Sequence, residues 1–375
     1  MAPLRHRFYP EEHYATLFNS RTGFYARIEE TGYPEPFWSR HGPELLDISI
    51  TNWCDKQCYT CYRSANRNGK HMSPVDYGMI LRQAAKMDVS QVALGGGNPN
   101  QHPAFVEILK ITREEFGIVP NYTTNGRGLT DEVLNATARF CGAVAVSAYE
   151  PYNDLEKALS SLRSYGVKTN VHFVLDSQTI NTAREWILNP PTYLRDVNAV
   201  IFLNYKPIGR GGHHERLLSK SEGYEKFFKD ALSHSHPFKI GFDSCMVTGF
   251  VALNLAAEVW YDTCEAARFT MYVSETLHAY PCSFMETAME GVPLTEDNML
   301  HVWQKSHLFR AVRNKLKYPD CRHCNFLALC RGGCPVFSEI NLCGSRYIGT
   351  AKERQNIRYS AKKSPATPHQ SPPKP

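Results

Sequence analysis

The residues most able to do chemistry in this chain are its cysteines. Cys54, Cys58 and Cys61 stand at C-x3-C-x2-C spacing directly after the apolar run Leu45–Thr51. Thiolates spaced in this way can hold three irons of a cubane iron–sulfur cluster and leave the fourth iron without a protein ligand. An open iron is what a small molecule needs in order to coordinate and be reduced, so the loop predicts a redox enzyme rather than a binding module. A second set lies far downstream, Cys321-x2-Cys324-x5-Cys330-x3-Cys334, followed by Cys343 and preceded by Cys264 and Cys282. Close cysteine pairs of this kind suit zinc as well as iron–sulfur clusters.

Composition favours metal over disulfides. The 375 residues include 12 cysteines, and the N-terminus, Met-Ala-Pro-Leu-Arg-His-Arg, lacks the apolar stretch of a secretory signal. No run approaches the ~20 apolar residues of a membrane span. Such a chain is expected in the cytoplasm, where thiols stay reduced, and not at a membrane. The net charge of +5 equals that of residues 351–375, where Lys352, Arg354, Arg358, Lys362, Lys363 and Lys374 oppose Glu353. The body is therefore near neutral, which argues against a nucleic-acid partner. The tail itself, rich in Pro, Ser and Lys, reads as disordered.

The elements that must position these residues alternate. Strand-like runs at 47–51, 91–94, 119–123, 143–148, 169–175 and 199–203 are separated by helix-like segments at 75–87, 103–116, 134–140, 154–165 and 179–188. Ser73 and Pro74 mark the start of the first helix as an N-cap followed by proline. Repeated β-then-α units predict an α/β fold with a parallel sheet, either an open doubly wound sheet or a curved partial barrel. In both, ligands bind beyond the C-terminal strand ends, where the Cys54 loop falls. Gly95-Gly96-Gly97-Asn98-Pro99 follows the second strand at the same end. Consecutive glycines there let the backbone approach a ligand.

The cysteine loop after strand one and the glycine loop after strand two together resemble the radical S-adenosylmethionine (SAM) enzymes. The resemblance implies a partial (β/α)6 TIM-like barrel over residues 47–235. It also implies a 4Fe-4S cluster on Cys54, Cys58 and Cys61 whose open iron is chelated by SAM, with Gly95, Gly96, Gly97, Asn98 and Pro99 at the amino end of SAM. An external one-electron reductant, such as a reductase, ferredoxin or flavodoxin, would then drive SAM cleavage to methionine and a 5′-deoxyadenosyl radical. Asn125, Ser147 and Arg210 fall at later strand ends, near ribose or adenine, although Asn125 and Ser147 also suit local turn caps. Two positions depart from the family. Asn98 replaces the usual acidic residue and keeps only an acceptor for the SAM ammonium. Thr60 replaces an aromatic residue before the third cysteine, a role open to Tyr59 or Tyr62.

The downstream cysteines resemble the SPASM extension of radical SAM enzymes, placed at residues 236–350. The flanking Tyr280-Pro281-Cys282 and Cys330-Arg-Gly-Gly-Cys334-Pro335 also resemble it. By that resemblance Cys264, Cys282 and Cys334 hold an inner auxiliary cluster, with Cys245 as a candidate fourth ligand, and Cys321, Cys324, Cys330 and Cys343 hold an outer one. Three 4Fe-4S clusters result. Cys141 matches nothing and is assigned to the core. Residues 1–46 are too few for a leader-recognition domain, but 14–28 could form a hairpin that extends a sheet edge.

Many enzymes of this kind modify ribosomally made peptides by crosslinking, thioether formation or epimerisation, and that is the leading expectation here. A peptide leader would be read by the catalytic body or by a separate leader-binding protein. Sulfatase-type maturation is disfavoured by Ser283, which stands where those enzymes carry a catalytic acid. A small-molecule dehydrogenase or epimerase is the alternative within the family, and an iron–sulfur electron carrier or zinc scaffold without SAM chemistry is the alternative outside it. Tyr149, Glu150, His172 and Tyr205 are candidates to donate or accept a proton, although each also suits an ordinary barrel lining.

Overall fold

The structure is a computed structural model that describes residues 4–255, 262–321 and 324–343. The 351–375 tail and the end of the expected C-terminal domain lie outside the described residues. The first three strands, β1 (Leu4–Tyr9), β2 (Tyr14–Asn19) and β3 (Tyr25–Glu29), form an antiparallel sheet in the order β1-β2-β3. The hairpin expected over 14–28 is present, but it does not extend an edge of the main sheet. β2 is instead paired on its other side with β1, in a separate three-stranded layer.

The main sheet has ten strands. Six of them, β4 (Leu45–Thr51), β5 (Gln91–Gly96), β6 (Val119–Thr124), β7 (Val144–Ser147), β8 (Thr169–Leu175) and β9 (Ala199–Asn204), are parallel neighbours in chain order. The helices between them are α1 (Pro74–Lys86), α2 (Phe105–Lys110), α3 (Asp131–Phe140), α4 (Asn153–Ser164) and α5 (Ile180–Leu188). Ser73 caps α1 through its side chain, which accepts from the Asp76 amide, and Pro74 follows at the first helical position, as the sequence predicts. The helix expected at 103–116 changes over Ile111–Glu115 to a π-helical turn. There the buried Thr112 hydroxyl donates to Ile108 O at 2.6 Å and lies 2.7 Å from Tyr77 Oη, a hydroxyl insertion that widens the helix.

Alternation along the strands separates two faces. In β8, Val171, Phe173 and Leu175 are buried against the helices, and Phe173 packs edge-on against Trp186 of α5 at 4.9 Å. Asn170 and His172 point the other way, into a concave cavity of about 300 Å³ shared with Ala93, Asn121 and Ala145.

After α6 (Tyr224–Ser233) the chain adds β10 (Lys239–Phe242) parallel to β9. Beyond α7 (Val247–Ala252) it returns to the opposite edge, where β11 (Thr270–Val273) pairs parallel to β4. β12 (His278–Tyr280) and β13 (Val292–Pro293) continue antiparallel from there. The order is β10-β9-β8-β7-β6-β5-β4-β11-β12-β13, so the sheet runs unbroken across the division expected at residue 236. α8 (Met299–Lys305), α9 (His307–Lys317) and α10 (Leu327–Cys330) follow among the described residues. Among the described residues, no helix is long and apolar enough to cross a membrane.

The N-terminal layer lies across the N-terminal ends of the barrel strands. Lys168, just before β8, donates to Thr22 O at 2.6 Å. Arg5 donates to Gly117 O before β6, and Arg7 pairs with Asp88 before β5. Arg27 bonds Glu44 at 2.7 Å before β4 and Glu265 at 2.6 Å before β11. The layer thus floors the barrel.

Candidate active site

The Cys54 loop leaves the C-terminal end of β4 and is held by its own backbone. Asn52 N donates to Lys70 O at 2.8 Å, Cys54 N to Asn66 O at 3.0 Å, and Cys61 N to Cys58 O at 3.3 Å. Arg210 clamps it from the segment after β9. Its amide donates to Cys61 O at 3.0 Å, and its guanidinium donates to Cys58 O at 3.0 Å and Ala65 O at 2.6 Å. Arg210 was expected near ribose or adenine, but its bonds go to loop carbonyls. The preceding Gly209 has φ +63°, and a Cβ there would lie 2.3 Å from Tyr62 O. Only glycine permits that approach.

The three thiols form a set that suits a cluster. Cys54 Sγ accepts from Lys56 N at 3.4 Å and from Asn125 Nδ2 at 3.5 Å, the kind of donor that stabilises cluster thiolates. Burial, then the proximity of Cys61, pushes Cys58 up to about 11. A bound metal centre would reverse that cost by holding the sulfurs deprotonated. Asn125 also caps locally, accepting from Arg127 N at 2.9 Å.

The glycine loop presses on the cysteine loop itself. Gly97 N donates to Thr51 O at 2.7 Å and Asn98 N to Trp53 O at 2.9 Å. A Cβ at Gly96 would lie 2.0 Å from Thr51 O, and one at Gly97 2.0 Å from Trp53 O. These two glycines are therefore demanded by backbone packing against Thr51–Trp53, whereas the sequence attributed them to ligand approach. Pro99 is buried at the start of the following 3-10 turn.

Asn98 is also placed differently from expectation. Fully buried, its Oδ1 accepts from Thr124 Oγ1 at 3.1 Å and Asn125 N at 3.0 Å. Its Nδ2 donates to Gln101 Oε1 at 2.7 Å and Arg127 O at 3.1 Å. The amide is thus saturated within the protein and offers no acceptor to an ammonium. Asn98→Asp, which restores an acid, removes both donors and should destabilise the fold by about 1–3 kcal/mol without tightening SAM binding. Denaturant unfolding with equilibrium SAM titration checks both expectations.

A pocket of about 530 Å³ opens beside the cysteine loop at the C-terminal ends of β7 and β8, lined by Lys56, Cys58, Thr60, Tyr149, Glu150 and Asp176 among others. Lys56 Nζ lies 3.1 Å from Asp154 and 5.3 Å from the Tyr149 ring centre. Burial, then the Cys58 and Cys61 sulfurs, raises the Tyr149 hydroxyl well above its ordinary range, and the Ser147 side chain bonds to it. Glu150 is exposed at the rim and accepts from Tyr152 Oη at 3.3 Å. His172 lies deeper in the concave cavity, where burial pushes it down to about 4 and keeps it neutral near pH 7. Tyr205 is buried, with its hydroxyl accepting from His213 N at 3.2 Å, and does not line the pocket. Of the two aromatics considered beside Thr60, Tyr59 lines the pocket and stacks on His213, whereas Tyr62 packs against Phe284.

The downstream cysteines gather in two sets. Cys245 has Cys264 and Cys334 as electrostatic neighbours, Cys264 has Cys282 and Cys334, and Cys282 has Cys334; each of the four is raised first by burial. Cys330 has Cys321, Cys324 and Cys343 as its neighbours. The resemblance implies an inner set of Cys264, Cys282 and Cys334, with Cys245 as a candidate fourth member, and an outer set of Cys321, Cys324, Cys330 and Cys343. Among the described residues no three His, Cys, Asp or Glu side chains sit close enough to hold a single metal ion, a tighter requirement than the corners of a multi-iron cluster. Cys141, by contrast, packs partly buried against the main core.

Two buried cations beside the cysteine sets, Lys206 and Arg63, escaped sequence reasoning. Lys206 pairs with Asp243 and lies 4.5 Å above the Phe284 ring, with Cys245 and Cys282 among its electrostatic neighbours. Arg63, two residues past Cys61, donates to Glu275 at 2.6 Å and pairs with Glu286. Ser49 Oγ donates to the same Glu275 at 2.9 Å, and Tyr272 Oη to Glu286 at 2.6 Å. This network fastens the cysteine loop to β4, β11 and the segment after Cys282.

The sequence model of the Radical SAM superfamily matches residues 48–169, which span the cysteine loop, the glycine loop and the strands that carry them. The chain carries a radical SAM domain. It is an enzyme with an α/β fold, in which the matched residues span β4, β5, β6 and β7 of the ten-stranded sheet. The chain is 23% identical over 312 residues to the mycofactocin maturase MftC of Mycolicibacterium smegmatis, covering 78% of each. Among solved structures, SuiB of Streptococcus suis bound to its precursor peptide SuiA superposes with TM-score 0.68 at 16% identity, covering 92% of this chain and 99% of SuiB. The structure of anSMEcpe with bound AdoMet superposes with TM-score 0.62 at 16% identity, covering 84% of this chain and 97% of that one.

Proposed function

We propose that the radical SAM domain uses a 4Fe-4S cluster on Cys54, Cys58 and Cys61 to generate a 5′-deoxyadenosyl radical that modifies a ribosomally made peptide. The observation that carries the reading is the joint packing of the cysteine and glycine loops beside a pocket of about 530 Å³. A bound cluster of this type supplies SAM with the electron that cleaves it to methionine and the radical. The chain's own residues prepare the place. Arg210 fixes the carbonyls of the loop, and Lys56 N and Asn125 donate to Cys54 Sγ. Tyr149, to which the Ser147 side chain bonds, walls the pocket on the side of β7, and Lys56 puts a cation at its edge, suited to the carboxylate of SAM.

The two downstream sets fit auxiliary clusters, an inner one on Cys245, Cys264, Cys282 and Cys334 and an outer one on Cys321, Cys324, Cys330 and Cys343. A peptide substrate is supported by what the relatives act on or hold: MftC is a maturase, SuiB is seen with a precursor peptide, and anSMEcpe is also seen with AdoMet and a peptide. A ferredoxin or flavodoxin is the expected electron donor, and a separate leader-binding protein the expected second partner.

Anaerobic reconstitution should yield about twelve irons per chain, the sum for three four-iron clusters. Incubation with SAM and dithionite should then release 5′-deoxyadenosine, read by liquid chromatography. A fully reconstituted protein that releases none would refute the reading, and stoichiometric zinc would refute the outer cluster.

A further inference from the structure

We propose that the exposed stripe of α9, together with the surface around Cys321, is the docking site of an acidic one-electron carrier protein that passes its electron to a cluster on the outer cysteine set. The proposal rests on the function proposed above and gives the electron donor named there a place on the molecule.

Charge is divided unevenly along the chain. With residues 351–375 set aside, the remainder is neutral overall. Within it, residues 299–343 hold seven Lys or Arg and only two acids, Asp320 and Glu339, so the other residues of the body are together acidic. The segment that carries the outer cysteines is therefore the basic part of a chain whose barrel is not.

The amphipathic pattern of α9 decides where these cations point. The helix contains no acidic residue and buries Phe309, Val312, Arg313 and Leu316. Arg313 is turned inward: its guanidinium lies 3.6 Å from the Trp38 ring centre, and its Nε donates to Ala267 O at 2.6 Å. Arg310, Asn314 and Lys317, spaced i, i+4 and i+7, share a second stripe and are exposed. Lys315, on the other flank, is exposed as well and donates to Pro335 O at 3.2 Å.

That stripe ends at the outer cysteines. Cys321 follows Lys317 by four residues and, among the described residues, is the one exposed cysteine. A Cβ at Gly332 would lie 2.6 Å from Pro319 and 3.6 Å from Cys321 Sγ, so the turn after Cys330 packs on the segment that leaves α9. Two large apolar side chains stand open beside this junction: Tyr318, 69% exposed and 5.4 Å from Lys317 Nζ, and Leu329, 43% exposed and adjoining Cys330. A few apolar groups bordered by charges of one sign form a small surface of the kind that transient redox partners use. The complementary face is rich in carboxylates. The electron count is simple: the carrier is oxidised by one electron, a cluster on Cys321, Cys324, Cys330 and Cys343 is reduced by one, and no atom or proton is transferred.

The test mixes the reconstituted holoenzyme with photoreduced flavodoxin at low salt and follows oxidation of the flavin by stopped flow. The double substitution Arg310→Glu/Lys317→Glu should slow that oxidation about 10-fold, the lower end of electrostatic steering. It should also abolish the fall in rate that the wild type shows as salt rises and screens the encounter. Iron content and dithionite-driven release of 5′-deoxyadenosine should stay unchanged. Lys157→Glu/Lys229→Glu, which alters net charge equally through exposed lysines of α4 and α6, should oxidise the flavin near the wild-type rate. Cys54→Ala/Cys58→Ala/Cys61→Ala should still accept the electron, because entry lies elsewhere.

An unchanged rate in the α9 variant, or an equal loss in the α4 and α6 variant, overturns the proposal. Failure of the triple cysteine variant to oxidise the flavin also overturns it and moves entry to the upstream cluster. Tighter binding of a short DNA duplex than of flavodoxin would make the face a general polyanion site and overturn it too. If the double variant loses iron, Arg310→Glu and Lys317→Glu are read singly, and each must show a smaller slowing with iron intact. A wild-type protein that holds iron yet releases no 5′-deoxyadenosine with dithionite instead overturns the function beneath.

Discussion

Replacing Cys54, Cys58 and Cys61 together by alanine should remove about four irons per chain and abolish 5′-deoxyadenosine formation, while leaving about eight irons on the downstream sets. The selectivity follows from the geometry. The loop is shaped by hydrogen bonds that involve no sulfur as donor: Arg210 to the carbonyls of Cys58 and Ala65, Cys54 N to Asn66 O, and Asn52 N to Lys70 O. Alanine preserves all of these, so the fold should survive. Burial and the neighbouring Cys61 raise Cys58 to about 11, so the thiols are neutral without metal and alanine removes no charge from the loop. Iron analysis, low-temperature electron paramagnetic resonance and chromatography of the SAM products read the three parts of the expectation. Cleavage of SAM that persists in the triple variant would contradict the assignment of these cysteines.

Replacing Arg63 by methionine should cost about 3–5 kcal/mol of stability, the range for removing one partner of a buried ion pair. The guanidinium is almost completely enclosed, its side chain only 2% exposed, and Glu275 is 7% exposed. Methionine fills most of the volume but leaves two carboxylates facing each other with only the hydroxyls of Ser49 and Tyr272 as donors. Because Arg63 follows Cys61 by two residues, iron on the upstream cysteines should be lost more readily than iron on the others. Denaturant unfolding and the rate of iron release to a chelator measure the two effects. Replacing Glu275 by glutamine as well should return part of the stability, because it removes one of the stranded charges.

The two classes of residue in this site differ in how visible they are in sequence. The cysteines announce themselves by spacing, and the glycine loop by its position after a strand. The six βα units are equally legible, because each strand is a short apolar run and each helix has a 3.6-residue rhythm. The expected 169–175 strand coincides with β8, and most other boundaries shift by one to three residues. The remaining strands were hidden for a physical reason. β10 has four residues and β13 only two, and β11 pairs with β4 across more than two hundred residues of chain. No local pattern encodes such a pairing. The same holds for Arg63 and Lys206, since a lone buried charge has a sequence signature no different from a surface charge. Asn98 shows the opposite error. Its position in the glycine motif suggested a ligand contact, whereas four internal hydrogen bonds account for it.

The three-stranded floor under the barrel carries a consequence for how a long substrate is handled. Lys168, Arg5, Arg7 and Arg27 tie it beneath β8, β6, β5, β4 and β11. The barrel is therefore a cup and not a tube. A substrate cannot enter from beneath the strands and must approach from their C-terminal ends.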